Sequence, residues 1–470
     1  MALTRVISTI DELVSGASPG HELFRGPTGY VSAPGFFNVR AFGATGDGAT
    51  DDTVAIQAAI TAAGVGGVVV FPTPASVYRI SASLVPMNYQ TWTSGGYHWP
   101  LTGQPVLFSA PTFADALIKH TGTLLGWSVN GLGFYGPGAL SGSKGIDLAI
   151  SSYCRIENCS FNLFGDSAII LRGPTGNVDV IQRNYTQNCL MVHTGRTVPI
   201  GVFDCACLDA IIRDNEFSAS VSAIVSGFIF AAVIRGNGSW VSGNGFENSE
   251  AGVQVFASQC RFSNNRADLN YGPGWIIDAT ATANAFIGNF SYRNGLATDN
   301  TYDGFQIAGS LSIFSGNDAR NRSIDANRMR HGFTDTSTTG ANVYAGNMGE
   351  LLRGNLYNFS GAGTKRLIGH GENAVTKTTT YTVLDDDRLI AGDATGAAFT
   401  VNLPPAAGRQ GRQYTIKRTN SGANAVTVDA NAAETIDSAL TKILGSQYAT
   451  LVIESDGTNW VIISTFGTVT

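Results

Sequence analysis

Short apolar runs, each closed by an asparagine-bearing polar turn, recur through the middle of the chain. They are Arg155-Ile-Glu-Asn158, Ile181-Gln-Arg-Asn184, Ile212-Arg-Asp-Asn215, Val241-Ser-Gly-Asn244, Arg261-Phe-Ser-Asn264-Asn265, Phe286-Ile-Gly-Asn289, Phe314-Ser-Gly-Asn317 and Val343-Tyr-Ala-Gly-Asn347. Asn158 to Asn347 is 189 residues in seven steps, a mean of about 27. No 3.6-residue period intervenes, so each unit reads as strand, turn, strand, turn, strand. Repeats of this length mark solenoids, in which stacking the units buries one continuous core. The pattern predicts a parallel β-helix with roughly 22 to 30 residues per coil. Asparagine suits the turns because it tolerates left-handed backbone, and stacked asparagines can bond from coil to coil.

Upstream, Phe37 to Phe42 reads as a short strand entering a glycine-rich turn, Gly43-Ala-Thr-Gly-Asp-Gly48. Asp51 and Asp52 then stand where a helix must start, as an N-cap and a favourable charge at its positive end. Ile56, Ala59, Ile60 and Ala63 follow at helical spacing, and Gly64, Gly66 and Gly67 stop the run. The helix is predicted over 52–63, with the apolar strand Val68-Val-Val-Phe71 after it. A helix with one apolar face suits the open end of a β-helix, whose unpaired backbone would otherwise invite edge-to-edge association. The glycine run lacks a following Gly-Lys-Ser/Thr, so it does not read as a phosphate loop. This order of turn, helix and strand over residues 37–82 resembles the opening of the pectate-lyase-like superfamily of right-handed parallel β-helices, in particular its phage tailspikes and polysaccharide-degrading enzymes.

Residues 83–145 are less regular and hold Trp92, Tyr97, Trp99 and Trp127, which points to an early coil with a long loop. From about 372 the texture changes to period-2 strands such as Thr379-Thr-Tyr-Thr-Val383, Gln413-Tyr-Thr-Ile-Lys417 and Ala449-Thr-Leu-Val-Ile453, a β-sandwich signature. Leu403-Pro-Pro405 and Asp456-Gly-Thr-Asn-Trp460 resemble the C-terminal domains of phage tail fibres and tailspikes. The expected fold is therefore all-β. An N-terminal arm or attachment segment spans 1–36. A right-handed parallel β-helix with an N-terminal capping helix spans 37–370. A C-terminal β-sandwich for trimerisation or carbohydrate binding spans 371–470.

Composition agrees. Glycine makes up 57 of 470 residues and charged residues only 14%, against roughly 25% in an average protein. The net charge of −6 argues against nucleic acid as a partner. No run of 18 apolar residues is present, so no membrane span is expected. Met1-Ala-Leu-Thr-Arg-Val-Ile-Ser8 lacks the apolar core of a secretory leader, which predicts synthesis in a cytoplasm. The cysteines, Cys154, Cys159, Cys189, Cys205, Cys207 and Cys260, fit no zinc spacing and are expected as buried free thiols.

Glycosidic cleavage needs two carboxyl groups in one groove. A polar residue, one or two small residues and an apolar strand recur after the asparagine turns, at Gly165-Asp-Ser-Ala-Ile169, Ser249-Glu-Ala-Gly-Val253, Tyr302-Asp-Gly-Phe305 and Arg330-His-Gly-Phe333. This register places Asp303 and Glu250 on one edge, two coils apart. Asp303, Glu250 and the nearby Asp299 are the candidate catalytic carboxylates. The competing cluster is Asp204, Asp209, Asp214 and Glu216. Trp240, Tyr271, Trp275, Tyr292 and Tyr302 are the candidate sugar-stacking residues. His193 with Arg196, or Arg330 with His331, would serve a lyase. Asp385-Asp386-Asp387 reads as a polar turn. No metal site and no cofactor are expected.

The tailspike resemblance implies a homotrimeric virion protein, made in the host cytoplasm, that binds a bacterial surface polysaccharide outside the host. It further implies a glycoside hydrolase that depolymerises capsule, exopolysaccharide or O-antigen, and attachment to the phage tail or another fibre through the N-terminal segment. A non-catalytic receptor-binding adhesin and a polysaccharide lyase of the same fold are the alternatives.

Overall fold

The computed structural model describes residues 22–26, 29–33, 35–94, 104–173, 175, 178–189, 198–221, 224, 228–368, 373–385 and 387–470. The chain is a mostly-β parallel solenoid of about 12 turns with very little helix. It divides into two compact units, residues 1–261 with 265–272, and residues 262–264 with 273–470.

In the first unit three faces of short parallel strands wind in turn. Face 1 runs from Phe36–Asn38 to Trp240–Ser242, face 2 from Tyr78–Ile80 to Arg266–Asp268, and face 3 from Ala116–Leu125 to Ala251–Val255. In the second unit face 1 runs from Ala285–Ile287 to Thr364–Ile368, face 2 from Phe290–Tyr292 to Met348–Glu350, and face 3 from Trp275–Ile277 to Tyr357–Phe359. Most of these strands are three residues long. On faces 1 and 2 the middle residue typically points inward, as Ile212, Phe217, Phe286 and Phe314 do. The rings stack at the coil rise: Phe262 on Phe286 at 4.7 Å, Phe286 on Phe314 at 4.8 Å and Phe305 on Phe333 at 4.5 Å, close to the inter-strand spacing of about 4.8 Å.

The turns refine the reading of the asparagines. The left-handed residue is the one before the stacking asparagine: Arg183, Asp214, Gly243, Asn264, Gly288, Gly316 and Gly346 all have φ between 53° and 67°. The stacking asparagines are buried and form ladders. In the first unit Asn184 Nδ2 donates to Asn215 at 3.0 Å, Asn215 to Asn244 at 2.9 Å and Asn244 to Asn265 at 2.9 Å. In the second, Asn289 donates to Asn317 and Asn317 to Asn347, both at 3.0 Å. Asn158 is outside this column. It is itself left-handed, and Cys159 occupies the ladder position and donates its N–H to Asn184. The steps between bonded asparagines run from 21 to 31 residues, bracketing the expected 27.

Each ladder asparagine satisfies backbone as well as its neighbours. Asn317 donates to the Phe286 carbonyl at 2.9 Å, and its Oδ1 accepts the Asn289 N–H at 2.9 Å. Asn317→Ala strands those buried groups, each costing about 1–3 kcal/mol. A clear fall in the urea unfolding midpoint is expected, and a midpoint equal to the parent's would count against the ladder as a stabilising element.

The only α-helix among the described residues, α1, spans Thr53–Ala63 and buries Ile56, Ala59 and Ile60. The two aspartates divide the labour differently from a simple N-cap. Asp51 Oδ1 accepts the Thr53 N–H at 3.0 Å and the Thr53 hydroxyl at 2.6 Å. Asp52 occupies the cap position but turns back to accept the N–H groups of Thr45 and Gly46. It thus pins the glycine-rich turn, where Gly46 has φ +63° and a Cβ would collide with Pro74.

Of the N-terminal segment, Glu22–Gly26 and Gly29–Ala33 form an antiparallel hairpin, and 1–21 lie outside the described residues. Trp92 and Trp127 are buried core residues in edge contact at 5.4 Å, whereas Tyr97 and Trp99 lie outside the described residues. After the last coil, a five-stranded and a four-stranded sheet enclose one core that includes Ile390, Val401, Tyr414, Ile416, Leu451 and Trp460. Their early strands pair in parallel and only the later ones antiparallel. All six cysteines are free and buried, and burial pushes Cys154, Cys159 and Cys189 up to about 12, which leaves them inert. No helix of the described residues is long and apolar enough to cross a membrane.

Candidate active site

The outer surface of face 2 in the first unit gathers the charges best suited to acid–base chemistry. Thr186, Phe217, Phe246 and Ala267 point inward on successive strands, so the residues on either side of each point outward. The parallel register stacks Tyr185, Glu216, Gly245 and Arg266 in one column, and Ser218, Glu247 and Asp268 in the next. Glu216 and Glu247 are diagonal neighbours on adjacent strands, a separation that long side chains span. Gly245 makes this possible, since a Cβ there would overlap the Glu216 carboxyl.

Arg266 lies among the three acids. Its Nη2 is 3.6 Å from Glu216 Oε1 and 3.8 Å from Glu247 Oε2, and its Nε is 3.8 Å from Asp268 Oδ2. Glu216 Oε1 is buried and has no hydrogen-bond partner. Burial, and then repulsion from Glu247, push Glu216 up to about 7 against the pull of Arg266. Burial and the same two glutamates also raise the Tyr185 phenol. The result is a carboxyl with its pKa raised toward neutral beside two further acidic side chains, a grouping from which acid–base chemistry can be built.

Glu216 was one of four clustered acids in the sequence, and the fold separates them. Asp204 is on face 3, where Arg235 grips it at 2.9 and 3.1 Å. It lines a cleft of about 450 Å³ with Lys144, Asp166, Arg172 and Arg235, and burial raises its pKa despite Arg235 and Arg172. Asp209 and Asp214 occupy left-handed turns. Glu247, Arg266 and Asp268 were missed. The signal existed: aligning the three residues after each ladder asparagine gives Glu216-Phe-Ser, Gly245-Phe-Glu and Arg266-Ala-Asp, the observed columns.

Asp303 and Glu250 do sit just before face-3 strands, Phe305–Ile307 and Ala251–Val255, but they belong to different units. Asp303 is fully buried. Its Oδ1 accepts from Arg330 Nε at 3.0 Å and from the His331 N–H at 3.1 Å, and its Oδ2 from Arg330 Nη2 at 2.8 Å. Both oxygens are engaged, so it serves to fix Arg330 in place. Glu250 is also buried and accepts the Ile229 N–H at 3.0 Å. Asp299 is partly exposed, and Arg353, with help from the Arg328 N–H, holds it below the usual carboxylate range.

The aromatic set does not form one platform. Trp240 is exposed on face 1 with the Arg261 guanidinium 5.4 Å from its ring centre. Tyr271, Tyr292 and Tyr302 are half-buried. Trp275 is a core residue and cannot stack on a sugar: it is fully buried, 5.8 Å from Phe305 and edge-on to Phe262 and Phe286.

His331 Nδ1 accepts the Asn355 N–H at 3.0 Å, and burial lowers its pKa, so its proton sits on Nε2 and the ring is a poor base. His193 and Arg196 lie outside the described residues. Asp385 pairs with Arg409, and Asp387 accepts from Tyr381 and the Leu384 N–H; Asp386 lies outside the described residues.

The fold is that of a parallel β-helix, and the family likeness in sequence lies in its opening coils. Residues 36–107 match the family described as rhamnogalacturonase A/epimerase, pectate lyase-like. A 52-residue segment is 56% identical to mannuronan C5-epimerase AlgE3 of Azotobacter vinelandii, covering 11% of this chain and 3% of that protein's length. Among solved structures, a tailspike protein of E. coli bacteriophage HK620, a double mutant in complex with a pentasaccharide, is similar over 96% of both chains at 11% identity, with a TM-score of 0.60. DFA-IIIase from Arthrobacter chlorophenolicus A6 without its lid is similar over 71% of this chain and 94% of its own, at 14% identity and a TM-score of 0.51.

Proposed function

We propose that this chain is a phage tailspike subunit that binds and hydrolyses a bacterial surface polysaccharide, with Glu216 as general acid and Glu247 as the carboxylate that activates water or attacks the sugar. The observation that carries this reading is Glu216 itself, a half-buried carboxyl raised to about 7 and set diagonally from a second glutamate on the outer surface of face 2. Glu216 would give its proton to the leaving glycosidic oxygen. Arg266 would steady Glu247 and Asp268 as anions once the proton has left. This moves the acid–base role from Asp303 and Glu250, whose carboxylates are engaged within the fold. The likeness of fold to the HK620 tailspike over nearly the whole chain supports the tailspike assignment.

In this reading residues 1–36 attach to the phage tail or another fibre, 37–370 form the polysaccharide-acting β-helix with α1 as its cap, and 371–470 form a β-sandwich module. The assembly is a homotrimer on the virion. Exposed apolar residues Ile287, Leu311 and Ile313 in the second unit support burial of part of face 1 between subunits. Light scattering at three times the 49.3 kDa chain mass is expected, and a monomer at micromolar concentration would remove that part of the reading.

The deciding experiment is incubation of purified protein with a panel of capsulated bacteria. Halos on a susceptible strain, with new reducing ends and no unsaturated ultraviolet-absorbing product, are expected. An unsaturated product would make the protein a lyase. Binding to a strain without any cleavage would make it an adhesin.

A further inference from the structure

A second cleft, in the second unit and built by face 3, has a volume of about 340 Å³, within the usual range for small-ligand sites. Three of its residues carry groups that can serve a ligand. Arg330 is oriented by its two bonds to buried Asp303 through Nε and Nη2, and among the described residues nothing bonds its Nη1. Thr334 is only 7% exposed, and its hydroxyl is buried without a hydrogen-bond partner. Gln306 pairs in register with Thr334 on the adjacent strand, and Ile276 with Gln306 on the next. Their side chains share the outer surface of face 3, since Trp275, Phe305 and Phe333 point inward.

We infer that this cleft is a non-catalytic saccharide-binding subsite for a neutral sugar unit, with Arg330, Thr334 and Gln306 as its hydrogen-bonding residues and Asp303 as the positioning residue for Arg330. A buried hydroxyl left unpaired is costly, and a ligand that fills the cleft recovers that cost. The charge balance selects the class of ligand. Arg330 is neutralised by Asp303, and Asp278 adds a half-buried carboxylate to the lining, so an anionic ligand meets no spare positive charge. Threonine hydroxyl and glutamine amide each donate and accept, as neighbouring sugar hydroxyls do. Ile276, on the outer surface of the same face, supplies apolar wall for the C–H face of a ring.

This inference rests on the saccharide-binding part of the proposed function and not on cleavage. Saturation-transfer NMR and calorimetry on the full chain would use maltose, cellobiose, lactose and trehalose as neutral probes, with glucuronate and inorganic phosphate beside them. At least one neutral probe should bind. Thr334→Val, which removes only the unpaired hydroxyl, and Gln306→Leu should each weaken it by about 3- to 10-fold, the equivalent of one hydrogen bond. Arg330→Lys, which keeps the charge and loses the fork, should do the same. Unchanged circular dichroism and urea midpoints establish that the variants are folded. The proposal is overturned if no neutral probe binds, if all three variants bind as the parent does, or if glucuronate or phosphate binds best. Polysaccharide cleavage that proceeds while all three variants bind the neutral probes as the parent does overturns this subsite alone. Variant-sensitive binding without cleavage leaves it standing and removes the hydrolase reading.

Discussion

Glu216→Gln and Glu247→Gln should each lower polysaccharide cleavage by about 10²- to 10⁴-fold, the usual worth of acid–base assistance, while the coils stay folded. Both changes keep side-chain size. Glu216→Gln also removes the carboxyl whose pKa is raised to about 7, so its pH behaviour should differ in kind. In the parent the rate should fall above about pH 7, as Glu216 loses its proton. In Glu216→Gln that limb should vanish from the residual rate. Stability gives an independent check. The folded-state pKa lies above the ordinary 4.5, so the folded form binds the proton more tightly than the unfolded chain. The stabilisation is complete below about pH 4.5 and is lost as pH rises through about 7. Urea midpoints of the parent should decline over that window, and those of Glu216→Gln should not follow. Gly245→Ala, which displaces the Glu216 carboxyl, should reduce cleavage as well. Parental rates in both glutamate variants would sink the assignment.

The repeat, its parallel sense and the opening helix were legible in the sequence because each is a local pattern. A three-residue strand and a turn recur at near-constant spacing, and the apolar face of α1 is written in eight consecutive positions, Ile56 to Ala63. The site was less legible because it depends on which of two outward columns a residue joins. Asp303 and Glu250 each precede a face-3 strand. What the sequence could not supply was that Arg330, one coil on in register, closes over Asp303. Trp275 failed for a related reason: aromatic residues fill the solenoid core as readily as they decorate a groove, and Trp275 begins a strand whose first position points inward. The asparagines show the reverse case. Their stacking was foreseen, but their value lies in burial and backbone bonding, while the left-handed turn is carried by the preceding residue.

Asp335→Ala or Lys365→Met should destabilise the second unit by about 3–5 kcal/mol, because each strands a charge in the core. Asp335 is fully buried on an inward position of face 3. Its Oδ2 accepts from Tyr344 Oη at 2.6 Å and Asn342 Nδ2 at 2.9 Å, and its Oδ1 from the Ser337 N–H at 2.8 Å. Lys365 Nζ stands 3.7 Å from Oδ1 and donates to the carbonyls of Ser337 and Gly361 at 3.0 and 2.7 Å. Burial lowers the lysine pKa, and Asp335 opposes that shift. The network closes the last coil where phenylalanine stacking ends: Phe314 stacks on Tyr344, and the Tyr344 hydroxyl then needs the acceptor that Asp335 provides. Lys365 also donates its backbone N–H to Gly408 at 3.0 Å, which ties this coil to the sheets that follow. Loss of the pair should therefore loosen both together, read as a lower urea midpoint and faster proteolysis between the coils and the C-terminal sheets. The double variant Asp335→Asn with Lys365→Met removes both charges and should recover part of the loss, since replacing a buried pair costs far less than breaking one. Single variants within about 1 kcal/mol of the parent would show that water already reaches these groups and that the coil end is held by its aromatic rings alone.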